Sequence, residues 1–313
     1  MNIVCVEPLG ISEARFEELR HEFAASGHQF NYFLDRNESE EALISRMKDS
    51  EIAIISNIKL PASVLTACSK LRMLSVAFTG LDHIDLAYCQ QHHITVKNAA
   101  GYSTVAVSEL AIGLMLDVMR RITALDASTR KGGTRNNFLG RELHGKTVGV
   151  VGTGAIGSAT IRLLSAFGCH VLAYNRSKHT DVEQTGARYT SLDELLRQSD
   201  IVTLHVPLNA ETHHLIDASK LALMKPTALL INTARGNVVD IDALAQALQK
   251  GQLAGAGIDV YDGEPPLPQN HPLLQSSNCV LVPHIGYATR EAFDIRADIV
   301  IDNVKKFLNE NSK

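Results

Sequence analysis

The chain has 313 residues, a length that favours two domains, each with its own hydrophobic core. Apolar residues make up 45% of the sequence and charged residues 20%, which excludes a fibrous or wholly disordered protein and is typical of folded, water-soluble chains. The formal net charge of −4 provides no long-range attraction to nucleic acid or to an anionic membrane, so neither partner is expected.

Cysteine usage and the N-terminus indicate the compartment. Five cysteines are scattered along the chain without a Cys-x-x-Cys pair, and the odd count favours reduced packing residues over a disulfide framework. The N-terminus has no basic start before its short apolar run, and no stretch is apolar for the ~20 residues that a membrane span needs. We therefore expect a cytoplasmic protein.

Short apolar runs alternate with amphipathic stretches through the first hundred residues. Strands are predicted at residues 3–6, 52–56, 71–78 and 94–97, with helices at 13–26, 61–68 and 86–92. This alternation is typical of parallel βαβ units.

A long and nearly all-apolar helix is predicted at residues 104–121. A helix that is apolar on most faces must be buried between layers or between subunits. We therefore predict a homodimer organised around this helix, and Met115 and Met119 are expected in the core or at the subunit interface.

A second βαβ series follows a polar, glycine-bearing segment at residues 131–144. Its predicted strands are 147–151, 170–174, 201–205, 228–232, 257–260 and 280–282, enough for a doubly wound parallel sheet. The amphipathic residues 290–307 predict a final helix that can return to the first domain.

The strand at 147–151 runs directly into a G-x-G-x-x-G turn formed by Gly152, Gly154 and Gly157, and a helix follows. The first glycine permits the tight turn, the second lets the backbone approach a pyrophosphate, and the third allows close packing of helix on strand. The sequence therefore predicts a dinucleotide site that includes the intervening Ala155 and Ile156.

The end of the second strand of this series should meet the adenosine ribose. An acid there hydrogen-bonds the 2′-hydroxyl of NAD, whereas a neutral residue with a neighbouring arginine accommodates the 2′-phosphate of NADP. The chain has Asn175, Arg176 and Ser177, so NADP(H) is the predicted cofactor and NAD(H) the alternative. In the structural alternative, Arg176 is only a solvated loop residue.

Three downstream motifs carry a family resemblance. Residues 230–236 are Leu-Ile-Asn-Thr-Ala-Arg-Gly, residues 257–266 are Gly-Ile-Asp-Val-Tyr-Asp-Gly-Glu-Pro-Pro, and residues 282–286 are Val-Pro-His-Ile-Gly. In this order behind the glycine turn, the chain closely resembles the D-isomer-specific 2-hydroxyacid dehydrogenases. The resemblance extends to residues 79–85 and 205–209 and covers nearly the whole chain.

The resemblance implies an α/β protein of two domains with the active site in the cleft between them. Residues 1–98 and 286–313 would form a smaller flavodoxin-like α/β substrate domain, and residues 99–285 a doubly wound, parallel-sheet Rossmann domain that binds NAD(P). It implies Arg235 as the substrate-binding arginine, His284 as the proton donor and acceptor, and Glu264 as its partner. The remaining cofactor contacts are expected at Val206, Pro207, Thr212, Thr233, Ala234 and Asp259.

The chemistry of these residue types agrees with those roles. A histidine titrates near neutrality and can donate or accept a proton, a neighbouring carboxylate favours the imidazolium, and an arginine presents a planar fork to a carboxylate. Each also has a structural alternative: a hydrogen-bonded structural histidine for His284, an ion pair for Arg235, and an exposed loop acid for Glu264.

The substrate is expected to be a small 2-oxo or 2-hydroxy acid. Its carboxylate should meet Arg235 and the backbone at Thr79 and Gly80, with Tyr102 lining the same pocket. Phosphoglycerate enzymes of the family commonly carry an arginine where this chain has Val76, and the formate branch a glutamine where it has Pro283. Glyoxylate, hydroxypyruvate and branched or aromatic 2-oxo acids remain as candidate substrates.

Two other functions compete with this one. The family also includes transcriptional corepressors, so an NAD(P)H-sensing regulatory protein is the alternative function, while nothing supports a hydrolase with a resident nucleotide. Side chains of the adjacent histidine pairs, at 92–93 and 213–214, are expected to diverge, so no metal site is predicted. Residues 211–214 are predicted to begin a helix beside the cofactor loop.

Overall fold

The computed structural model describes residues 1–276 and 278–311. The chain divides into two units, the first comprising Met1–Ser103 and the segment from Ala288 onward, the second Thr104–Tyr287. The described residues of each unit build one all-parallel sheet with helices between its strands. The predicted α/β class is confirmed.

The first unit contains a five-stranded sheet in the flavodoxin-like order β2-β1-β3-β4-β5. Its strands are β1 (Asn2–Cys5), β2 (Gln29–Tyr32), β3 (Ile52–Ile55), β4 (Met73–Val76) and β5 (Thr95–Asn98). Both central strands β3 and β4 are buried throughout, which is why they consist of apolar runs. The edge strand β2 was not predicted, because Phe30 is its single fully buried residue.

The helices of the first unit cover this sheet. They are α1 (Glu13–Ala25), α2 (Glu40–Met47), α3 (Ala62–Ala67), α4 (Leu86–Gln91) and the C-terminal helix (Arg290–Glu310). Ser12, Ser39 and Asp85 cap the first, second and fourth of these by accepting a backbone N–H. Helix α2 was missed, since Leu43 and Met47 are its only buried side chains.

The second unit contains a seven-stranded sheet in the order β12-β11-β10-β9-β6-β7-β8. Its strands are β6 (Thr147–Val151), β7 (His170–Tyr174), β8 (Arg188–Tyr189), β9 (Ile201–Leu204), β10 (Leu229–Asn232), β11 (Gly255–Ile258) and β12 (Cys279–Leu281). The chain order reverses between β6 and β9, as in a Rossmann fold. The two-residue edge strand β8 is too short to leave a periodic pattern.

Helices lie on both faces of the second sheet. They are α5 (Thr104–Arg120), α6 (Ile122–Thr129), α7 (Ala155–Ala166), α8 (Thr180–Glu183), α9 (Leu192–Gln198), α10 (Ala218–Leu221) and α11 (Ile241–Gln249). Within the described part of the chain, no helix combines the length and apolarity needed to cross a membrane.

The apolar helix α5 ends at Arg120, and Arg121 takes a left-handed conformation with φ 53° that starts α6. Its buried face packs on α7, β10 and β11, with Met115 and Met119 in the hydrophobic core. Intramolecular packing therefore accounts for most of its apolar residues, and the homodimer remains a prediction.

Candidate active site

His284 and Glu264 form a hydrogen-bonded dyad at the carboxyl edge of the second sheet. The His284 Nδ1 lies 2.9 Å from both Glu264 Oε1 and Oε2, so one ring nitrogen faces the whole carboxylate. The imidazole is 12% exposed, whereas the Glu264 side chain is 65% exposed. The carboxylate therefore orients the ring, and the roles of both residues in proton transfer remain predictions.

The backbone holds His284 in an unusual conformation. Its φ is 55°, in the left-handed region that non-glycine residues rarely adopt. Buried Asp259, which directly follows β11, accepts the next two N–H groups: Ile285 N donates to Oδ1 at 2.7 Å and Gly286 N to Oδ2 at 2.9 Å. This carboxylate therefore anchors the loop that presents the histidine.

Both oxygens of Asp259 bind the His284 loop, and its expected contact with the cofactor remains a prediction. Burial raises the pKa of Asp259, and the two N–H donors oppose that increase. Gly286 permits the approach, since a Cβ at this position would lie 2.8 Å from Asp259 Oδ2.

Tyr261 and His271 support the same loop, and sequence analysis did not single them out. The Tyr261 hydroxyl donates to the Val282 carbonyl at 2.9 Å, two residues before His284. The buried His271 ring packs edge-on against Tyr261, with ring centroids 5.7 Å apart, and its Nε2 lies 3.3 Å from Asp262 Oδ1. The Tyr-Asp pair within the motif at residues 257–266 was the sequence feature that could have indicated these supporting residues.

Arg235 lies on the loop after β10. The buried Asn232 closes that loop, because its Nδ2 donates to the Arg235 carbonyl at 3.0 Å and its Oδ1 accepts from Ala234 N at 3.1 Å. The guanidinium Nη1 donates to the Ala234 carbonyl at 2.8 Å. A Cβ at Gly236 would overlap the Tyr261 carbonyl, so glycine is required where the loops after β10 and β11 meet.

The glycine-rich turn after β6 has three glycines with different constraints. Gly152 has φ 97° and a Cβ there would lie 2.6 Å from the His205 carbonyl oxygen, while a Cβ at Gly157 would overlap the Gly152 carbonyl. Around Gly154, no described atom outside this glycine and its two neighbouring residues lies within 4 Å of the Cβ position. Packing therefore requires the outer glycines, and the middle one keeps space open in front of α7, which starts at Ala155.

Two buried polar atoms at the carboxyl edge of the second sheet lack a hydrogen-bond partner among the described residues. They are Thr233 Oγ1, after β10, and His205 Nδ1, after β9. Burial lowers the pKa of His205 to about 4, so its ring is neutral, and its Nε2 lies 3.0 Å from Thr203 Oγ1. The glycine cradle and the unpaired Thr233 hydroxyl fit a nicotinamide dinucleotide, whose ends need an open anion cradle and polar groups to bind.

The loop after β7 carries the residues expected at the ribose. Asn175 Nδ2 donates to the Ser177 carbonyl at 2.9 Å, and Thr153 N lies 3.5 Å from Asn175 Oδ1. Arg176 is 78% exposed, and its Nη1 donates to Glu211 Oε2 at 2.9 Å. No sequence pattern indicates that Glu211 is the partner of this arginine.

The loop after β9 contains Val206, Pro207 and Thr212. The Thr212 hydroxyl donates to the Pro207 carbonyl at 2.6 Å, within the loop. The predicted helix at 211–214 is wrong: residues 210–214 form turns, because Asn209 Oδ1 accepts two successive backbone N–H groups.

The expectation for the second histidine pair is also wrong. The rings of His213 and His214 stack with centroids 4.1 Å apart, because His214 has a positive φ of 50° and the pair is not on a regular helix or strand. His92 instead stacks on Tyr88 at 4.0 Å. The described residues include no cluster of three or more metal-ligating side chains.

The predicted substrate residues Thr79, Gly80 and Tyr102 belong to the first unit. The turn at 79–80 follows β4, and Asn98 Nδ2 donates to the Thr79 carbonyl at 2.7 Å. Tyr102 is buried, and its ring lies 6.5 Å from the Phe78 ring and 5.9 Å from the Arg296 guanidinium. Their substrate roles remain predictions.

Comparison with known proteins identifies the family. Residues 112–286 match the family model described as the NAD binding domain of D-isomer specific 2-hydroxyacid dehydrogenases. The chain belongs to this family. It is an NAD(P)-dependent oxidoreductase that acts on CH–OH groups, and the family membership predicted from the sequence is confirmed.

Individual relatives extend the likeness beyond the matched segment. A glyoxylate reductase of Thermofilum pendens is 43% identical over 274 residues, covering 85% of this chain and 80% of that protein. An acyclic imino acid reductase, solved with NADPH and D-Arg, has a TM-score of 0.89 and 29% identity, covering 99% and 98% of the two chains. D-lactate dehydrogenase from Aquifex aeolicus, solved with NAD and lactic acid, has a TM-score of 0.86 and 32% identity, covering 99% and 96%.

Proposed function

We propose that this family member reduces a small unphosphorylated 2-oxo acid, of the glyoxylate or hydroxypyruvate type, to the D-2-hydroxy acid. The His284–Glu264 dyad is the observation that carries the proposal, because its 2.9 Å contacts give a proton donor an oriented partner at the carboxyl edge of the second sheet. The names of curated relatives such as the Thermofilum pendens glyoxylate reductase support this substrate class.

The dyad handles the proton. Glu264 engages Nδ1, so proton exchange with the substrate falls to His284 Nε2. In reduction, Nε2 protonates the oxygen as the carbonyl becomes an alcohol, and in oxidation it accepts the hydroxyl proton. A reduced nicotinamide cofactor, held at the glycine-rich turn of Gly152, Gly154 and Gly157, would supply the hydride that this reduction needs.

Arg235 is proposed to bind the substrate carboxylate. Its guanidinium offers paired N–H donors to the carboxylate and polarises the neighbouring carbonyl, which makes the carbon more electrophilic. The loop closed by Asn232 restricts the arginine backbone and supports such fixed positioning. The absence of a phosphate-binding side chain at Val76, which is fully buried in β4, supports an unphosphorylated substrate.

NADPH is the proposed preferred hydride donor, with NADH as the alternative. Asn175 carries no charge that would repel a 2′-phosphate, and Arg176 and Ser177 supply donors on the same loop. The preference rests on the chemistry of these side chains, since Arg176 pairs with Glu211 here.

A homodimer in the cytoplasm completes the proposal. Large apolar side chains are exposed along one stretch of the second unit: Val105 by 65%, Ile122 by 54% and Leu139 by 81%. Their burial against a second copy supports dimerisation. All five cysteines lie within the described residues as free thiols, which supports a reducing compartment.

A panel of 2-oxo acids tests the activity. The purified protein is mixed with glyoxylate, hydroxypyruvate, branched and aromatic 2-oxo acids and phosphohydroxypyruvate, and loss of NADPH or NADH absorbance is followed. The highest kcat/KM is expected for glyoxylate or hydroxypyruvate with NADPH, giving a D-product. Tight NADPH binding without turnover on any acid would instead favour a regulatory sensor.

A further inference from the structure

An ion pair connects the two loops that flank the glycine-rich turn. In the sheet, β6 lies between β9 and β7. The loops that follow β9 and β7 therefore lie on either side of the glycine-rich turn, which follows β6. Arg176 follows β7 and Glu211 follows β9, and Arg176 Nη1 donates to Glu211 Oε2 at 2.9 Å. The pair therefore links the two sides of the dinucleotide cradle at its carboxyl edge.

Glu211 is presented by an ordered turn. Asn209 Oδ1 accepts from Glu211 N at 2.9 Å and from Thr212 N at 3.1 Å, and Asn209 N donates to Thr212 Oγ1 at 2.9 Å. These contacts order the backbone at Glu211 independently of the ion pair.

The charges of this pair have opposite consequences for the two cofactors. A 2′-phosphate needs the Arg176 guanidinium as its cation, but Glu211 already occupies that donor and itself repels a phosphate. NAD has a hydroxyl at the same place, so it can bind without separating the pair. Both side chains are largely exposed, 78% and 69%, so the pair is weak enough to open.

We propose that Glu211 is a specificity-determining residue that limits the preference for NADPH over NADH by competing with the 2′-phosphate for Arg176. The inference rests on the proposed placement of the adenosine ribose beside Asn175, Arg176 and Ser177. Glu211 thereby lets NADH compete with NADPH at a loop whose other side chains favour NADPH.

A binding experiment tests this without turnover. Calorimetry measures the Kd of adenosine 2′,5′-bisphosphate and of adenosine 5′-monophosphate, which differ only in the 2′-phosphate, for wild type, Glu211→Gln, Arg176→Ala and the double variant. Glu211→Gln should tighten the bisphosphate about two- to tenfold and leave the monophosphate within about twofold, because it releases the arginine and removes a repelling charge. The Kd values of NADPH and NADH are then measured for the same four proteins, and their ratio is compared.

Glu142→Gln is the matched control. Glu142 is exposed and precedes β6 at the opposite, amino edge of the sheet, so this variant makes the same charge change away from the cradle. We expect it to leave both affinities unchanged. An equal gain in bisphosphate affinity for this control would attribute the effect to net charge and overturn the inference.

The arginine variant separates the two proposals. Arg176→Ala should weaken the bisphosphate and remove most of the Glu211→Gln effect in the double variant. If Arg176→Ala weakens it but Glu211→Gln changes nothing, the role of Glu211 is refuted and the ribose placement stands. If neither variant changes the bisphosphate affinity, both the inference and the proposed NADPH preference fail.

Discussion

The two parallel sheets differ in what occupies the carboxyl edge where the strand order reverses. In the second unit, the reversal lies between β6 and β9, and the chain after β6 supplies glycines that place no side chain over the carboxyl edge. In the first unit, the reversal lies between β1 and β3, and there Glu7 fills the space: its buried Oε1 accepts from Ser56 N at 2.7 Å and Ile58 N at 3.3 Å.

Two arginines also occupy the carboxyl edge of the first sheet. Arg36 Nη1 donates to Glu7 Oε2, and the buried Arg296 donates through Nη2 to the Leu9 carbonyl at 2.7 Å and through Nη1 to Ser56 Oγ at 3.1 Å. The Arg296 guanidinium also lies 4.3 Å from the centroid of the Phe293 ring. The chain's own carboxylate here takes amide donors of the kind that would otherwise bind a ligand.

The comparison shows that topology offers a ligand site at both reversals, but side chains decide which one is open. Glycine at the second reversal leaves backbone and space for a cofactor, while a carboxylate with arginine partners at the first makes that edge structural. Variants of the two edges should therefore affect different properties: function at the open edge and stability at the filled one.

The largest expected effect is on catalysis at the second sheet. His284→Gln should lower kcat by ~10²–10⁴-fold, because the proton donor is lost, while the Kd for NADPH stays near the wild-type value. Steady-state kinetics and fluorescence titration measure the two quantities. His170→Gln, at the exposed amino end of β7, is the control and should keep full activity; near-normal kcat in His284→Gln would contradict the assignment of the dyad.

The filled edge should respond in stability. Arg296→Met should lower the free energy of unfolding by about 2–4 kcal/mol, because the Leu9 carbonyl and Ser56 hydroxyl lose a buried charged donor. Urea denaturation measures it. The exposed Arg290, on the same helix, provides Arg290→Met as a control with little expected change. Unchanged stability of Arg296→Met would show that this cation does not stabilise the first unit.

The open edge should tolerate a methyl group in folding but not in binding. Gly154→Ala has room for its Cβ and a permissive φ of −68°, so the melting temperature should stay unchanged. The Kd for NADPH should rise by about tenfold or more, because the methyl occupies space needed by the pyrophosphate. Gly113→Ala, also with open space, is the control and should leave the Kd unchanged. Unaltered affinity of Gly154→Ala would contradict the cradle.

The smallest expected effect is the pH dependence of stability at Glu7. Burial raises the pKa of Glu7 above its ordinary value of 4.5, so the folded state holds this proton more tightly than the unfolded state. Its contribution to stability therefore increases as pH falls through the folded pKa towards 4.5, and is lost as pH rises.

Glu7→Gln removes this titration. The stability of wild type relative to Glu7→Gln should increase on acidification towards 4.5, by at most about 1.4 kcal/mol per pH unit. Urea denaturation at several pH values measures the difference. A difference that stays constant, or that falls with acidification, would contradict the direction of the shift.

Features that depend on residues adjacent along the chain were predictable from the sequence. Apolar runs predicted the buried strands, and the G-x-G-x-x-G spacing predicted the turn between β6 and α7, because strand, glycines and helix are adjacent. Arg235, Glu264 and His284 were predicted by a family resemblance. Elements with few buried residues, such as β2, β8 and α2, escaped because their burial pattern is too sparse to leave a periodic signal.

The contacts between side chains distant in sequence depend on the folded arrangement of the strands. The pairing of Arg176 with Glu211, the binding of the His284 loop by Asp259, and the insertion of Glu7 beneath the loop after β3 join residues 26 to 49 positions apart. These contacts follow from which strands are neighbours in a sheet and from loop lengths at its edge, and no local periodicity encodes either. The physical reason is that hydrogen bonds and charges act through space, whereas sequence patterns report only the burial and conformation of adjacent residues.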